Sequence, residues 1–532
     1  MFHQPLTPVA ASLPESFLVA AAPIATVLVL MGVLRRPAWQ ASLAGLAVGL
    51  VLAVKVWGFP VPLALDSVAA GAVFALWPIM WIVVNALLLF NIAVGTGRFD
   101  AFRSWVVRRL PGDRRVVLVI IGFCFGALLE GVAGFGTPVA ITSAVLVMVG
   151  FDALDAVVFT LIFNTAPVAF GALGAPITTL AAVTGLPDVT LGAMVGRQLP
   201  LFALLLPFYV IGVYGGWRSI KALWPILLVA GGAFAATQFA ASNYISYALT
   251  DVLASLVSLV VSIGFLAVWK PAPDPKFAIT YSEADRAATK APAWQGWLPW
   301  IGVSAVVIVW TVAKINLMGQ IKLPWPGLDG QVFITLYGKP YAAVWTFQPL
   351  ATGTAILLSA LISAAVFGCG PKAFFKAAAQ TWRQAYLAIL TVTAIVGLAY
   401  LMNYAGMTYT LGLGVASAGA VFPLLSAFLG WVAVFLSGSD TSGNALFGNL
   451  QVVAARQLGL SPVLIAATNS SGGVMGKMIS PQNISTGVST TALKGREGQV
   501  LARTFGHSLV LTLLLGLLVA AQQHLLPWMI PR

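Results

Sequence analysis

The stretch Glu130-Gly-Val-Ala-Gly-Phe-Gly-Thr-Pro138 sets a carboxylate among three glycines and a proline, in the middle of a long apolar segment. A charge at the centre of a bilayer costs about 2.5–3.5 kcal/mol on insertion scales. Glycine and proline at that depth interrupt a helix and free backbone groups that only a protein-lined cavity can satisfy. Together they point to a binding site built on irregular backbone. The plainer reading is a tight helix-packing patch with one stray acid. It loses ground because Ser437-Gly-Ser-Asp-Thr-Ser-Gly-Asn444 repeats the pattern later in the chain. Two further apolar segments are broken by small and polar residues, Asn164-Thr-Ala-Pro-Val-Ala-Phe-Gly-Ala-Leu-Gly-Ala-Pro176 and Asn469-Ser-Ser-Gly-Gly-Val-Met-Gly-Lys-Met-Ile-Ser-Pro481.

Interrupted helices present free N–H groups and partial positive charge at their half-helix N-termini, a setting for an anion. The expected substrate contacts are Gly134, Phe135, Gly136, Asn164, Thr165, Thr441, Ser442, Asn444, Asn469, Ser470 and Ser471. Lys477 is the cation inside the second break; it either meets a substrate carboxylate or forms a salt bridge with Glu130 or Asp440. Glu130 and Asp440 are the candidate proton carriers, the alternative being acids that cap or brace a hairpin. Arg197 and His507 are further possibilities, set against an ion pair or interfacial position for the arginine and simple packing for the histidine. Such a donor-rich site fits a small hydroxylated carboxylate better than a hydrophobic drug. Cys124 and Cys369 are far apart and read as small apolar residues, and His3, His507 and His524 are scattered. No metal centre, cofactor or nucleotide-binding motif is expected, and a membrane-embedded enzyme lacks a nucleophile–base pair.

The elements that must position these residues are membrane helices. Hydrophobic residues make up 60% of the 532 and charged ones only 8%, against about 25% charged in soluble domains. Mean hydropathy is +0.95, and apolar runs near the length of a bilayer crossing recur. The expected fold is therefore an all-α polytopic membrane protein of about twelve transmembrane helices. Residues 116–150 and 420–458 read as re-entrant hairpins with tips at 131–137 and 437–444. Residues 156–183 and 462–490 read as broken helices. Residues 98–115 carry six arginines punctuated by Phe99, Phe102, Trp105, Val106 and Leu110 at helical spacing, an interfacial amphipathic helix rather than a nucleic-acid patch. Residues 316–341 form a Gly/Pro-punctuated loop.

The order of elements repeats. Asn91 matches Asn403, Gly134 matches Gly443, Asn164 matches Asn469, Gly171 matches Gly476 and Pro176 matches Pro481, with offsets of 305–312. Matching interrupted segments in two halves are a pointer to a transporter site. The expected division is a first repeat over 1–240, a connecting span and cytoplasmic loop over 241–296, and a second, inverted repeat over 297–532. With the arginine helix inside, 20 of the 28 basic residues fall on one side and both termini lie outside, as the positive-inside rule asks. The net charge of +13 is then a basic cytoplasmic face.

On all four motifs, and over nearly the whole chain, the sequence resembles the L-lactate permease family of bacterial secondary transporters. The resemblance implies proton-coupled symport of L-lactate, and of D-lactate, glycolate and other short 2-hydroxy monocarboxylates, across the bacterial inner membrane. It also implies inverted repeats, two re-entrant hairpins and a mobile transport domain moving against a scaffold. Its partners are then lactate, protons and the lipid bilayer. Sodium coupling, which unwound carbonyls suit, and an uncoupled anion channel, which needs no coupling acid, are the alternatives.

Overall fold

The computed structural model of the chain describes every residue except 35, 108, 133, 135, 136, 280–291, 490, 494, 495 and 532. Helices dominate, and the chain is an all-α polytopic membrane protein. Peripheral helices turn Leu18, Val51, Leu65 and Leu513 outward, where hydrocarbon can cover them. The helix Arg114–Val132 is equally apolar but wholly buried in protein. The second kind of helix carries the site.

Among the described residues nine helices are long and apolar enough to cross a membrane, or ten if the bent pair Ala153–Phe163 and Val168–Thr184 is one crossing. The sequence reading gives about twelve, and the difference has identifiable sources. The spans expected at 191–214 and 222–241 are the two arms of Leu199–Ala240, 42 residues that count once, with the short helix Asp188–Val195 ahead of the first arm. At 1.5 Å per residue this would run about 63 Å, twice the hydrocarbon thickness. It does not run straight: Gly216 takes φ +72°, ψ −177°, and Gly231 packs on the backbone of Leu204, so the helix folds back on itself. The span expected at 346–367 is the helix Thr352–Val366, of 15 residues, or about 22 Å. Conversely, the span expected at 76–94 begins earlier, at Val61, and passes through a kink at Trp77-Pro78; proline bends it without ending it.

From 114 to 184 the chain forms the helices Arg114–Val132 and Thr137–Met148, followed by Ala153–Phe163 and Val168–Thr184, bent by 63°. From 422 to 489 it forms Phe422–Ser437 and Asp440–Gln457, then Pro462–Lys477 and Pro481–Ser489. The turn at 438–439 is closed by Gly438 at φ +71° and by Ser439, whose Oγ accepts from the Ser442 N–H.

One expectation is corrected here. The break expected over 469–481 is confined to 478–480, because the helix Pro462–Lys477 runs on through Asn469, Ser470, Ser471 and the glycines. Those glycines serve packing. A methyl at Gly472 would strike the backbone of Ala427, and one at Gly476 that of Trp431; across the interface, one at Gly430 would strike Asn469. Small residues of this kind let membrane helices approach to backbone contact.

A second correction concerns the basic stretch. Its helix spans Arg98–Val107, and Phe99 and Phe102 are buried, with Phe102 edge-on to Trp297 at 4.8 Å. Arg115 does not lie on the membrane surface. It opens the next helix region in a closed pocket, 2.7 Å from Asp113 and 3.4 Å from Asp274, over the Phe277 ring. A guanidinium is tolerated in the interior only with such partners. The loop expected at 316–341 also carries short strands. Ile321–Pro324 pairs with Val344–Phe347, and Val332–Ile334 pairs with Lys339–Pro340 and with Phe2–His3. Gln4 then donates to the carbonyls of Asn403 and Tyr404, fixing the chain start on the helix Pro371–Ala405.

The packing glycines are directly testable. Gly472→Ala should lower stability by about 1–3 kcal/mol, the usual scale of overpacking. Gly302→Ala, where nothing lies within 4 Å of the added carbon, should leave stability unchanged or raise it by up to about 1 kcal/mol through helix propensity. Thermal unfolding in detergent compares the two; equal shifts would show that the glycines are not there for close approach.

Candidate functional site

Two helix ends from distant parts of the chain meet at the centre. Glu130 lies near the C-terminus of Gly126–Val132, and Lys477 is the last residue of Pro462–Lys477. Lys477 Nζ is 2.7 Å from Glu130 Oε1, and the side chains are 7% and 3% exposed. A helix C-terminus carries partial negative charge, so it suits the lysine and burdens the glutamate. The compensation for Glu130 comes from Lys477 and from Asn164, whose Nδ2 donates to Oε2 at 3.2 Å. Asn164 can reach because it caps the helix Ala153–Phe163 where the chain breaks. Beyond the break Gly171 faces the carboxylate: a Cβ there would sit 2.8 Å from Glu130 Oε1. Removing one partner from such a buried pair costs about 3–5 kcal/mol.

The break itself is strained. Ala172, Leu173 and Gly174 take φ of +44°, +55° and +82°, and for a non-glycine residue the left-handed region costs about 1–2 kcal/mol. Tyr247 braces it: its ring packs against Gly174, and its hydroxyl donates to Asp188 at 2.9 Å. Strain held in place by its surroundings is a mark of functional backbone.

Asp440 occupies the opposite electrostatic setting. It is the first residue of Asp440–Gln457, where partial positive charge favours a carboxylate. Its Oδ2 accepts from Ser470 at 2.5 Å and Asn444 at 3.3 Å, while Oδ1 has no hydrogen-bond partner among the described residues. Asn444 also donates to the Pro176 carbonyl at 3.2 Å, tying the helix Asp440–Gln457 to Gly171–Thr184. Asn469 donates to Asn444 Oδ1 and accepts from Gln451.

Between the two acids lies a cavity of about 30 Å³, bordered by Glu130, Gly134, Gly171, Ala172, Asp440, Thr441 and Lys477, with Ser439 and Gln482. That is room for about one water.

Of the expected residues, Glu130, Gly134, Asp440, Thr441 and Lys477 border the cavity. Asn164, Asn444 and Ser470 touch the acids that do. Phe135 and Gly136 lie outside the described residues. Thr165 spends its hydroxyl on the Ile162 carbonyl, and Ser471 donates to Gln198. Asn469 holds Asn444 in place, and Ser442 bonds through its backbone to Ser439. Arg197 is bonded to Asn243 and to the Met529 carbonyl, and His507 to the Tyr209 hydroxyl; neither borders the cavity.

Sequence reading passed over Asp251 and Gln198. Asp251 is fully buried, neither of its carboxylate oxygens has a hydrogen-bond partner among the described residues, and a Cβ on Gly131 would sit 2.8 Å from its own. It therefore places a third acid directly behind Glu130. The available signal was a lone acid at the head of the apolar helix Thr250–Val268, a position that is functional by default inside a membrane. Gln198 binds Ser471 and Thr468 at once, a role set by distant contacts that leave no local pattern.

The chain matches the family model described as L-lactate permease over residues 16–526. It is 40% identical to an L-lactate permease of Salmonella typhimurium, over 97% of both chains, and 40% identical to one of Bacillus subtilis, over 99% of both. It is also 40% identical to the glycolate permease GlcA of Escherichia coli, over 97% of each chain. With the match running through both hairpins and both segments that hold the Lys477–Glu130 pair, the chain belongs to the L-lactate permease family.

Proposed function

We propose that the chain is a secondary transporter carrying L-lactate and related short 2-hydroxy monocarboxylates, such as D-lactate and glycolate, together with a proton by alternating access. The carrying observation is the buried Lys477–Glu130 pair at 2.7 Å on the wall of the central cavity. The substrate class is supported by relatives named for L-lactate and for glycolate. Membership of a permease family and the apolar helices support a transporter, not an enzyme, in a bacterial plasma membrane. In this reading residues 1–240 and 297–532 are inverted repeats, the basic segments face the cytoplasm and both termini lie on the other side.

The pair supplies a coupling rule. With the site empty, Lys477 and Glu130 neutralise each other. A proton on Glu130 releases the ammonium, which then holds the substrate carboxylate, and the ammonium is paired again. A proton without the anion leaves Lys477 buried and unpaired. The anion without the proton leaves two carboxylates on one cation. Either half-loaded state costs about 3–5 kcal/mol, a factor of roughly a hundred or more in population. Hydroxyl and amide donors near the cavity, Thr441 and Ser439 among them, suit the 2-hydroxyl group. Asp440 is already held by Ser470 and Asn444, so its charge depends less on Lys477. Uptake into proteoliposomes under an imposed pH gradient, with and without sodium, tests the reading: accumulation that needs sodium and ignores the pH gradient would defeat it.

Glu130→Gln mimics the permanently protonated carrier and leaves Lys477 free. It should still bind lactate and exchange it across the membrane, and should lose accumulation driven by a pH gradient. Asp440→Asn should show the milder defect. Normal accumulation by Glu130→Gln would remove Glu130 as the coupling acid.

Lys477→Ala strands a buried carboxylate and should destabilise the protein by about 3–5 kcal/mol. Adding Glu130→Gln to the same chain should restore most of that loss while net uptake stays absent. Unfolding curves of the single and double variants decide it; additive losses would mean the two side chains do not act as a pair.

A further inference from the structure

A second open space, larger than the central one, lies elsewhere. A cavity of about 410 Å³ lies between the strand-bearing loop and the helices Pro371–Ala405, Met407–Ala416 and Asp440–Gln457. That is within the range of sites for small organic ligands. Its lining includes Lys339 and Arg456 and no carboxylate. Arg456 makes no ion pair among the described residues; its guanidinium stands 5.2 Å from the Tyr337 ring centroid. Tyr341 also borders the space, and burial pushes its phenol up to about 12, so it keeps its proton at neutral pH. Lys339 and Arg456 are both exposed, and with no ion pair for either among the described residues, two cations beside hydrogen-bond donors make a place for an anion.

Two helices connect this space to the centre. Asp440–Gln457 starts at the small cavity with Asp440 and Thr441 and reaches the large one with Asn449 and Arg456. Nine residues separate Asp440 from Asn449, about 14 Å along a helix. Gly171–Thr184 runs likewise from Gly171 and Ala172 to Val183 and Thr184. Between the cavities the helices are sealed where Gly448 packs on Leu180, with 2.6 Å left for an added Cβ. Above the seal Asn449 donates to Asn403 at 3.0 Å, and Asn403 donates to the Val183 carbonyl at 3.3 Å.

We propose that this vestibule is a second binding site, which holds the permeant carboxylate on Arg456 and Lys339 before it passes the Gly448–Leu180 seam. The proposal rests on the transport reading above. It gives the anion unpaired cations at the mouth, whereas the central lysine is already matched by Glu130.

The test uses L-lactate and calorimetry on the full chain in nanodiscs of zwitterionic lipid. In the Glu130→Gln, Lys477→Ala protein the central cation is gone, yet lactate should still bind. Adding Arg456→Gln should abolish that binding, and acetate should compete for it. In the otherwise unaltered chain, Arg456→Gln should raise the lactate concentration for half-maximal exchange by about tenfold, the worth of one charged hydrogen bond, with the maximal rate near wild type. Arg456→Lys should recover part of the shift. No lactate binding to the double variant while the unaltered chain binds overturns the vestibule alone. No binding to the unaltered chain overturns the transport reading with it. A lowered maximal rate at unchanged half-saturation would place Arg456 in the translocation step and also overturn the proposal.

Discussion

Everything in this protein depends on how it keeps one ammonium and one carboxylate out of water. Lys477 and Glu130 are 347 residues apart in sequence and 2.7 Å apart in space. In a low-dielectric interior neither charge is tolerable alone. The fold therefore screens the pair from lipid by placing it at the end of the wholly buried helix Arg114–Val132. It spends the first helix break on freeing Asn164, and leaves Gly171 without a side chain to give the carboxylate a seat. The left-handed residues 172–174 follow directly, so the strained backbone and the charge pair are one construction.

The second half contributes by close approach rather than by unwinding. Gly430, Gly472 and Gly476 let Phe422–Ser437 and Pro462–Lys477 pack backbone to backbone. That approach carries Ser470 onto Asp440 and brings Lys477 to the cavity wall. The two acids thus sit in contrasting environments. Asp440 is at a helix N-terminus among neutral donors, while Glu130 is at a C-terminus and leans on a cation. Only the second arrangement ties a carboxylate's charge to the availability of an anion-binding group.

How much of this was legible in the sequence follows from what is local. Composition alone gives the membrane class, and an acid beside glycines marks Glu130 and Asp440 without any fold, with a proline besides in the Glu130 stretch. The misreading of 469–481 has a physical cause. A glycine in a membrane segment either interrupts a helix or lets another helix touch it, and only the partner backbone, here Ala427 and Trp431, decides between them. Lys477 was legible as a cation at the site and Glu130 or Asp440 as a possible partner, but which acid it meets was not, because nothing in either segment encodes a contact made across most of the chain. Asp251 was missed because it stands at the head of an ordinary apolar helix with no glycine beside it, and only the approach of Gly131 gives it meaning. Arg115 was misplaced for the converse reason: it sits in a basic run, and the acid that helps bury it, Asp274, comes from a distant loop.

The two cavities differ in size and in charge, and the differences belong together. In the small one the cation already has its partner: Lys477 faces Glu130 at 2.7 Å, with Asp440 across room for a single water. Such a centre gains little by admitting an anion until its carboxylate is neutralised, because the newcomer would displace an equally good partner. The large one is incomplete, with Arg456 and Lys339 and no acid in its lining. In the proposed cycle an anion is therefore held first where charge is missing. It moves inward only when a proton has created the same deficit at Lys477. The seam at Gly448 and Leu180 need not sense the substrate for this to work. The difference in electrostatic need between its two sides already sets the order in which proton and anion are taken up.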